Sequence, residues 1–283
     1  MNIVLMLLPA LAWGILPLVV AKIGGAPSQQ IFGTAFGTLI ASVIVYIILR
    51  PTTDLKSTIL AALAGAFWII GQLGQYTGYQ KLGVSKTMPL STGLQLIGTA
   101  LIGVVMFGEW SSSTAKIFGF LGIIMLIVGI ILTSARSTNT DNSNQFGTII
   151  MLIFTTVGYL IYNVIPKELS SSGLAIFLPE SVGMVLAVLA YAIFTHNTAI
   201  FKDKLSWKNI IGGLVFSFAA VTYILSVKQN GVNTAFIVGQ TSVVISTIGG
   251  LVLLNERKTR RELILMVIGL ILIVGGAVIT TVF

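Results

Sequence analysis

The chain has 283 residues, of which 55% are hydrophobic and 8% charged, with a formal net charge of +8 and no cysteine. A soluble domain carries about 25% charged residues, so a globule wrapped in water is excluded. Without cysteine there can be no disulfide framework, thiol chemistry or cysteine-ligated metal.

Ten apolar stretches follow one another along the chain: Ile3–Val20, Ile31–Leu49, Ile59–Tyr79, Val84–Phe107, Ile117–Thr133, Ile149–Ile165, Leu174–Phe194, Ile210–Val227, Val232–Leu254 and Leu263–Phe283. At about 1.5 Å per residue, each helix would cross a hydrocarbon core about 30 Å thick. The loops between them are too short to build a soluble exterior. The expected fold is an all-α integral membrane protein with ten transmembrane helices. No Lys or Arg precedes the first stretch and no small-x-small cleavage site follows it, so it reads as a span and not a cleavable signal.

The positive charge invites a nucleic-acid reading, but its distribution assigns it to a bilayer. In alternate loops, Lys22, Lys81, Lys86, Arg136, Lys202, Lys204, Lys208, Arg257, Lys258, Arg260 and Arg261 fall on one side. Arg50, Lys56, Lys116, Lys167 and Lys228 fall on the other, 11 against 5. The positive-inside bias places the first side in the cytoplasm of a multi-pass plasma-membrane protein, with both termini extracellular.

Residues 81–134 recur in weaker form at 228–281. Gly83-Val84 returns as Gly231-Val232. After a one-residue slip, Gly103, Glu109, Gly122, Gly129 and Thr133 return as Gly250, Glu256, Gly269, Gly276 and Thr280. Further upstream, Gly65-Ala-Phe-Trp68 aligns with Gly213-Leu-Val-Phe216. The one sustained polar segment, Arg136 to Gln145, separates two five-span halves, residues 1–134 and 147–283, with a linker at 135–146. Five is odd, so equivalent spans should point in opposite directions across the bilayer. That is the inverted-repeat plan of many secondary transporters. Thirty glycines, mostly inside spans, allow close helix approach, as in Gly33-Thr34-Ala35-Phe36-Gly37-Thr38.

In hydrocarbon a polar side chain marks an interior cavity or a helix contact. Trp68, Gln72, Gln75 and Tyr79 are spaced 4, 3 and 4, on one face of span 3. Aromatic surface beside amides suits a sugar, because its C–H faces lie on rings and its hydroxyls both donate and accept. Ser91, Gln95 and Thr99 extend the pattern on span 4 after Pro89, whose missing N–H can open carbonyls to a cavity. Trp13 lies between Pro9 and Pro17 on span 1, Tyr159, Tyr162 and Asn163 lie on span 6, and Gln240 on span 9 nearly mirrors Gln95. Packing alone is the rival account of each.

Glu180, after Pro179, is the one acid well inside a span. An unpaired carboxylate there costs several kcal/mol or takes up a proton, which makes it a candidate proton carrier; pairing near a membrane face is the alternative. Its counterpart in span 2 reads as a packing residue. Glu109 and Glu256 sit at the ends of spans 4 and 9, where a structural role is favoured. The sole histidine, His196, is in a loop, so no histidine dyad or two-histidine zinc site is expected in the membrane, and no phosphate-binding loop is present. An enzyme is not expected, nor any cofactor.

Gly83-Val-Ser-Lys-Thr-Met-Pro-Leu-Ser-Thr-Gly-Leu-Gln95 with Phe107-Gly-Glu-Trp110 resembles the glucose/ribose porter family of the drug/metabolite transporter superfamily. Leu8-Pro-Ala-Leu-Ala-Trp-Gly14 resembles its first span, Gly24-Gly25 with Gln30 and Gly33-Thr34 its first loop and second span, and Gly239-Gln-Thr-Ser242 its ninth. The resemblance implies a ten-span sugar uptake permease driven by protons. Leu178-Pro179-Glu180 departs from the expected Leu-Pro-Gln. Ser85-Lys-Thr-Met-Pro points to the glucose branch and Ala219-Ala-Val-Thr-Tyr223 to the ribose branch.

The expected activity is import of a monosaccharide, glucose ahead of ribose, by alternating access. Trp13, Trp68 and Tyr159 would stack on the sugar, Gln72, Gln75, Ser91, Gln95 and Gln240 would read hydroxyls, and Glu180 would carry the proton. An exporter of amino acids or amphipathic drugs on the same fold is the first alternative, and a non-transporting membrane sensor or scaffold the second.

Overall fold

A chain in hydrocarbon must satisfy its backbone polar groups internally, and an uninterrupted apolar run does so as a helix. In the computed structural model, which describes residues 2–135, 142–169 and 171–282, ten helical segments are long and apolar enough to cross a membrane. The first seven are single helices: α1 (Ile3–Ile23), α2 (Pro27–Leu49), α3 (Leu55–Leu82), α4 (Val84–Phe107), α5 (Ser113–Ser134), α6 (Asn142–Val164) and α7 (Gly173–Phe194). The short α8 (Lys204–Lys208) leads into α9 (Ile210–Asn230) as span 8. Helices α10 (Val232–Gly239) and α11 (Ser242–Leu253) make up span 9, and α12 (Arg260–Val282) is span 10. No strand occurs among the described residues.

Helices α3, α5 and α7 begin earlier than the apolar pattern alone suggests, because the polar caps Asp54, Ser112 and Ser172 extend them. Asp54 caps α3, accepting from the Ser57 backbone N–H at 2.9 Å and from the Ser57 hydroxyl at 2.5 Å. Those bonds hold its carboxyl down at about 2, below the ordinary carboxylate range. Helix α6 starts at Asn142, inside the stretch read as linker; residues 136–141 lie outside the described residues.

One departure concerns the spans themselves. Pro89 leaves α4 unbroken, whereas span 9, which contains no proline, breaks at Gln240-Thr241. There the Thr241 hydroxyl donates to the Val238 carbonyl at 2.6 Å, and the Gln240 N–H is shared between Phe236 and Ile237. Local side-chain bonding competes with the helix ladder beside Gly239.

Packing follows a rule. Span 1 lies on span 8 as span 6 lies on span 3, and span 2 lies on span 8 as span 7 lies on span 3. Span 1 meets span 9 as span 6 meets span 4, and spans 2 and 7, 4 and 9, and 5 and 10 meet each other. Adding five to each span number therefore returns the principal pairs. Glycines set these contacts at backbone range. A Cβ on Gly65 would fall on the Glu180 carbonyl and one on Gly183 on the Ala62 carbonyl, just as Gly213 meets the Thr34 carbonyl and Gly37 that of Ile210. Helices α5 and α12 run antiparallel: Cβ atoms on Gly122, Gly129, Gly269 and Gly276 would lie between 2.7 and 3.0 Å from carbonyls of Gly276, Gly269, Gly129 and Gly122 respectively. Side chains outside these seams, such as Ile48, Ile131, Phe154, Leu186 and Ile271, are exposed and apolar, as a lipid-facing surface requires.

Candidate functional site

The stripe on α3 faces inward. Trp68, Gln72 and Gln75 are buried, and α3 is sandwiched between α6 and α7 with the start of α4 beside it. Gln75 is the hub of a neutral hydrogen-bond network. Its Nε2 donates to Ser91 Oγ on α4 at 2.9 Å, and its Oε1 accepts from Gln72 Nε2 at 3.2 Å and from the Tyr159 hydroxyl on α6 at 3.1 Å. The Tyr159 hydroxyl also reaches Gln72 Oε1 at 2.8 Å. Gln95 closes the chain, donating through Nε2 to Ser91 Oγ at 3.2 Å, and it is the least buried member. Close approach makes this possible: Gly71 lies against the Tyr159 ring and Gly74 against Thr155, where any side chain would strike α6.

An aromatic floor adjoins the amides. The Trp68 ring lies 6.5 Å from those of Tyr159 and Tyr162 and 4.8 Å from Phe216 on α9. Trp68 and Phe216 are the two residues that the 148-residue displacement in sequence aligns, and they touch here. Six of the expected residues are thus gathered: Trp68, Gln72, Gln75, Ser91, Gln95 and Tyr159.

Three are not. Trp13 stacks on Tyr223 at 5.2 Å, with Gly239 beside it, at the junction of α1, α9 and α10. Gln240 occupies the break of span 9, half-buried, without a hydrogen bond to the network. Glu180 is buried in α7, its backbone held against Gly65 on the same helix as the stripe. No cation or hydrogen-bond donor among the described residues engages its carboxylate. The backbone contacts give Glu180 a counterpart, Thr34, and this residue does more than pack. Its hydroxyl bonds the Gln30 carbonyl at 2.9 Å and the Tyr76 hydroxyl at 2.8 Å.

Sequence reasoning passed over Tyr223 as a site residue. Its signal was available, since it occupies the place in α9 that Gln75 holds in α3, counted by the 148-residue displacement that relates Trp68 to Phe216. Trp13 meets Tyr223 where Tyr159 meets Gln75. One wall is therefore aromatic where its equivalent is amide.

The cluster holds donors and acceptors without a formal charge, and it offers no metal site. Among the described residues no three His, Cys, Asp or Glu side chains come together. A separate pocket of about 520 Å³ lies at the membrane face, lined by Lys81, Ser85, Lys86, Glu256, Arg257 and Glu262 among others. It does not include the network.

The family described as "Sugar transport protein" matches residues 4–283. Among relatives, the glucose uptake protein GlcU of Bacillus subtilis (strain 168) is 41% identical over 98% of this chain and 97% of its own. A Latilactobacillus sakei protein named for ribose uptake is 39% identical over 98% and 97%. A Lactobacillus johnsonii protein named for sugar uptake is 48% identical over the whole of both chains. One crystal structure of a protein superposes with a TM-score of 0.66 over 99% of this chain and 96% of that one; at 14% identity this likeness is one of fold.

Proposed function

Because the chain belongs to the sugar transport protein family, a family of transporters and not an enzyme class, we propose that it imports a neutral monosaccharide across the bacterial plasma membrane, glucose ahead of ribose, coupled to protons. The observation that carries the choice of solute is the network of Gln72, Gln75, Ser91, Gln95 and Tyr159 beside Trp68. A polyol can exchange its hydroxyls one for one with such amide and hydroxyl partners while its C–H face rests on the rings. An amino acid or a cationic drug would need a formal countercharge, and the network contains none. The relatives named for glucose and for ribose uptake support the sugar class.

Alternating access between two inverted halves supplies the movement. The neighbour rule among the ten spans, the antiparallel α5–α12 seam and the Trp68–Phe216 stack between equivalent residues support that reading. Glu180 carries the proton. It is buried without a partner, and its backbone is locked to α3, so a change in its charge bears directly on the helix that carries the site. The bias of Lys and Arg supports cytoplasmic loops on the side of Lys81 and Arg257, with both termini outside. The test is uptake of labelled glucose and ribose into proteoliposomes, with amino acids and lipophilic cations as competitors. Competition by the sugars alone is expected, and competition by cations would transfer the protein to the exporter class.

A further inference from the structure

The two halves carry one device twice. Gly83 opens α4 with φ 84° and ψ 163°, and Gly231 opens α10 with φ 83° and ψ 156°. At the far ends of the same spans, the Glu109 N–H donates to the Gly103 carbonyl at 3.1 Å and the Glu256 N–H to that of Gly250 at 3.2 Å. Gly108 and Asn255 turn these corners at φ 65° and 55°. Each carboxylate lies against the glycine six residues earlier: a Cβ on Gly103 would collide with Glu109, and one on Gly250 would sit tightly, 3.1 Å from Glu256.

In this state the two copies differ. The Glu256 carboxylate crosses to α4 and accepts from the Val84 N–H at 2.6 Å and the Ser85 N–H at 2.9 Å. These are first-turn donors without an intrahelical acceptor, at the positive end of the helix. Around them everything from Val84 to Leu90 is buried, Val84 to 1% exposure. At the equivalent place in the other half, Val232 is 60% exposed, and Asn233 and Glu109 are exposed as well.

We infer that Glu256 and Glu109 are opposing gate residues of the transport cycle: Glu256 seals one face by capping the start of α4, and in the opposite state Glu109 caps α10 at Val232 and Asn233 while Glu256 releases Val84 and Ser85. This rests on the alternating-access reading above. Both latches lie on one helix pair, spans 4 and 9, at its opposite ends. A rocking motion that brings the end of α4 to the start of α10 withdraws the end of α11 from the start of α4. The sealed face carries Lys81, Lys86, Arg257 and Lys258, so the positive-inside bias makes this the outward-facing state.

The absence of native cysteine makes the test direct. Val84→Cys and Val232→Cys, each the sole cysteine in protein reconstituted in nanodiscs, are labelled with a hydrophilic maleimide without any solute. The expected rate at position 84 is far below that at 232. Glu256→Gln should raise the ratio of the rate at 84 to that at 232 at least about fivefold, since it removes a charge-assisted bond. Glu109→Gln should lower the ratio. Glu256→Asp, which keeps the charge but shortens the reach, should give an intermediate value and serves if the Gln variant does not fold. An unchanged ratio in the Glu256 variants, or a rise with Glu109→Gln, overturns the proposal. Labelling needs no sugar: a reciprocal ratio without sugar flux upholds the gates and defeats the solute assignment, and sugar flux without reciprocity defeats the gates alone.

Discussion

Gln75→Ala separates a sugar-reading role from a packing one. The wild-type side chain makes three bonds, to Gln72, Ser91 and Tyr159. After truncation Tyr159 keeps Gln72, and Ser91 keeps Gln95. One buried donor, Gln72 Nε2, loses its partner, which costs about 1–3 kcal/mol of stability, small enough to leave the protein folded. Binding should suffer as well, because one hydroxyl contact disappears and Gln72 and Ser91 lose part of their orientation. A loss of about 1.4–2.8 kcal/mol weakens the sugar Kd about 10- to 100-fold. The assay is sugar-dependent thermal stabilisation in detergent, titrated with glucose and ribose, beside the melting temperature of the free protein. A lower melting temperature with an unchanged Kd would refute the reasoning and make the α3 network a helix-packing device.

Gly65→Ala should destabilise by about 1–3 kcal/mol or prevent folding, because its methyl falls on the Glu180 carbonyl. Gly275→Ala meets only the flexible end of Met125 at 3.0 Å and should be tolerated, with melting temperatures in one detergent as the comparison. Glu180→Gln should abolish the response of sugar uptake to an imposed pH gradient while preserving sugar exchange at equal pH; retention of the response would remove Glu180 from coupling.

Span positions were legible because a bilayer admits only helices and closed barrels, and runs as long and apolar as these ten suit helices. The inward face of α3 was legible too, since Trp68, Gln72 and Gln75 share a helical face and polar groups avoid lipid. Partners across helices were harder to read. Tyr223 and Phe216 carry no local mark of their contacts with Trp13 and Trp68; those follow from how α9 docks on α1 and α2, the latter held at backbone distance by glycines such as Gly213 and Gly37. The break in span 9 was hidden as well: it falls at Gln240-Thr241 without a proline, where the Thr241 hydroxyl bonds the Val238 carbonyl beside Gly239, while α4 runs on through Pro89. The polar role of Thr34 was hidden by its small-residue surroundings, which suggest packing alone.

Uptake of labelled glucose and ribose by purified protein in proteoliposomes, with and without an inward-directed proton gradient, tests the central claim most directly. The expected result is saturable sugar accumulation that rises with the gradient and is blocked by unlabelled sugar but not by amino acids or lipophilic cations. Absence of sugar flux in vesicles that contain folded protein would contradict the account.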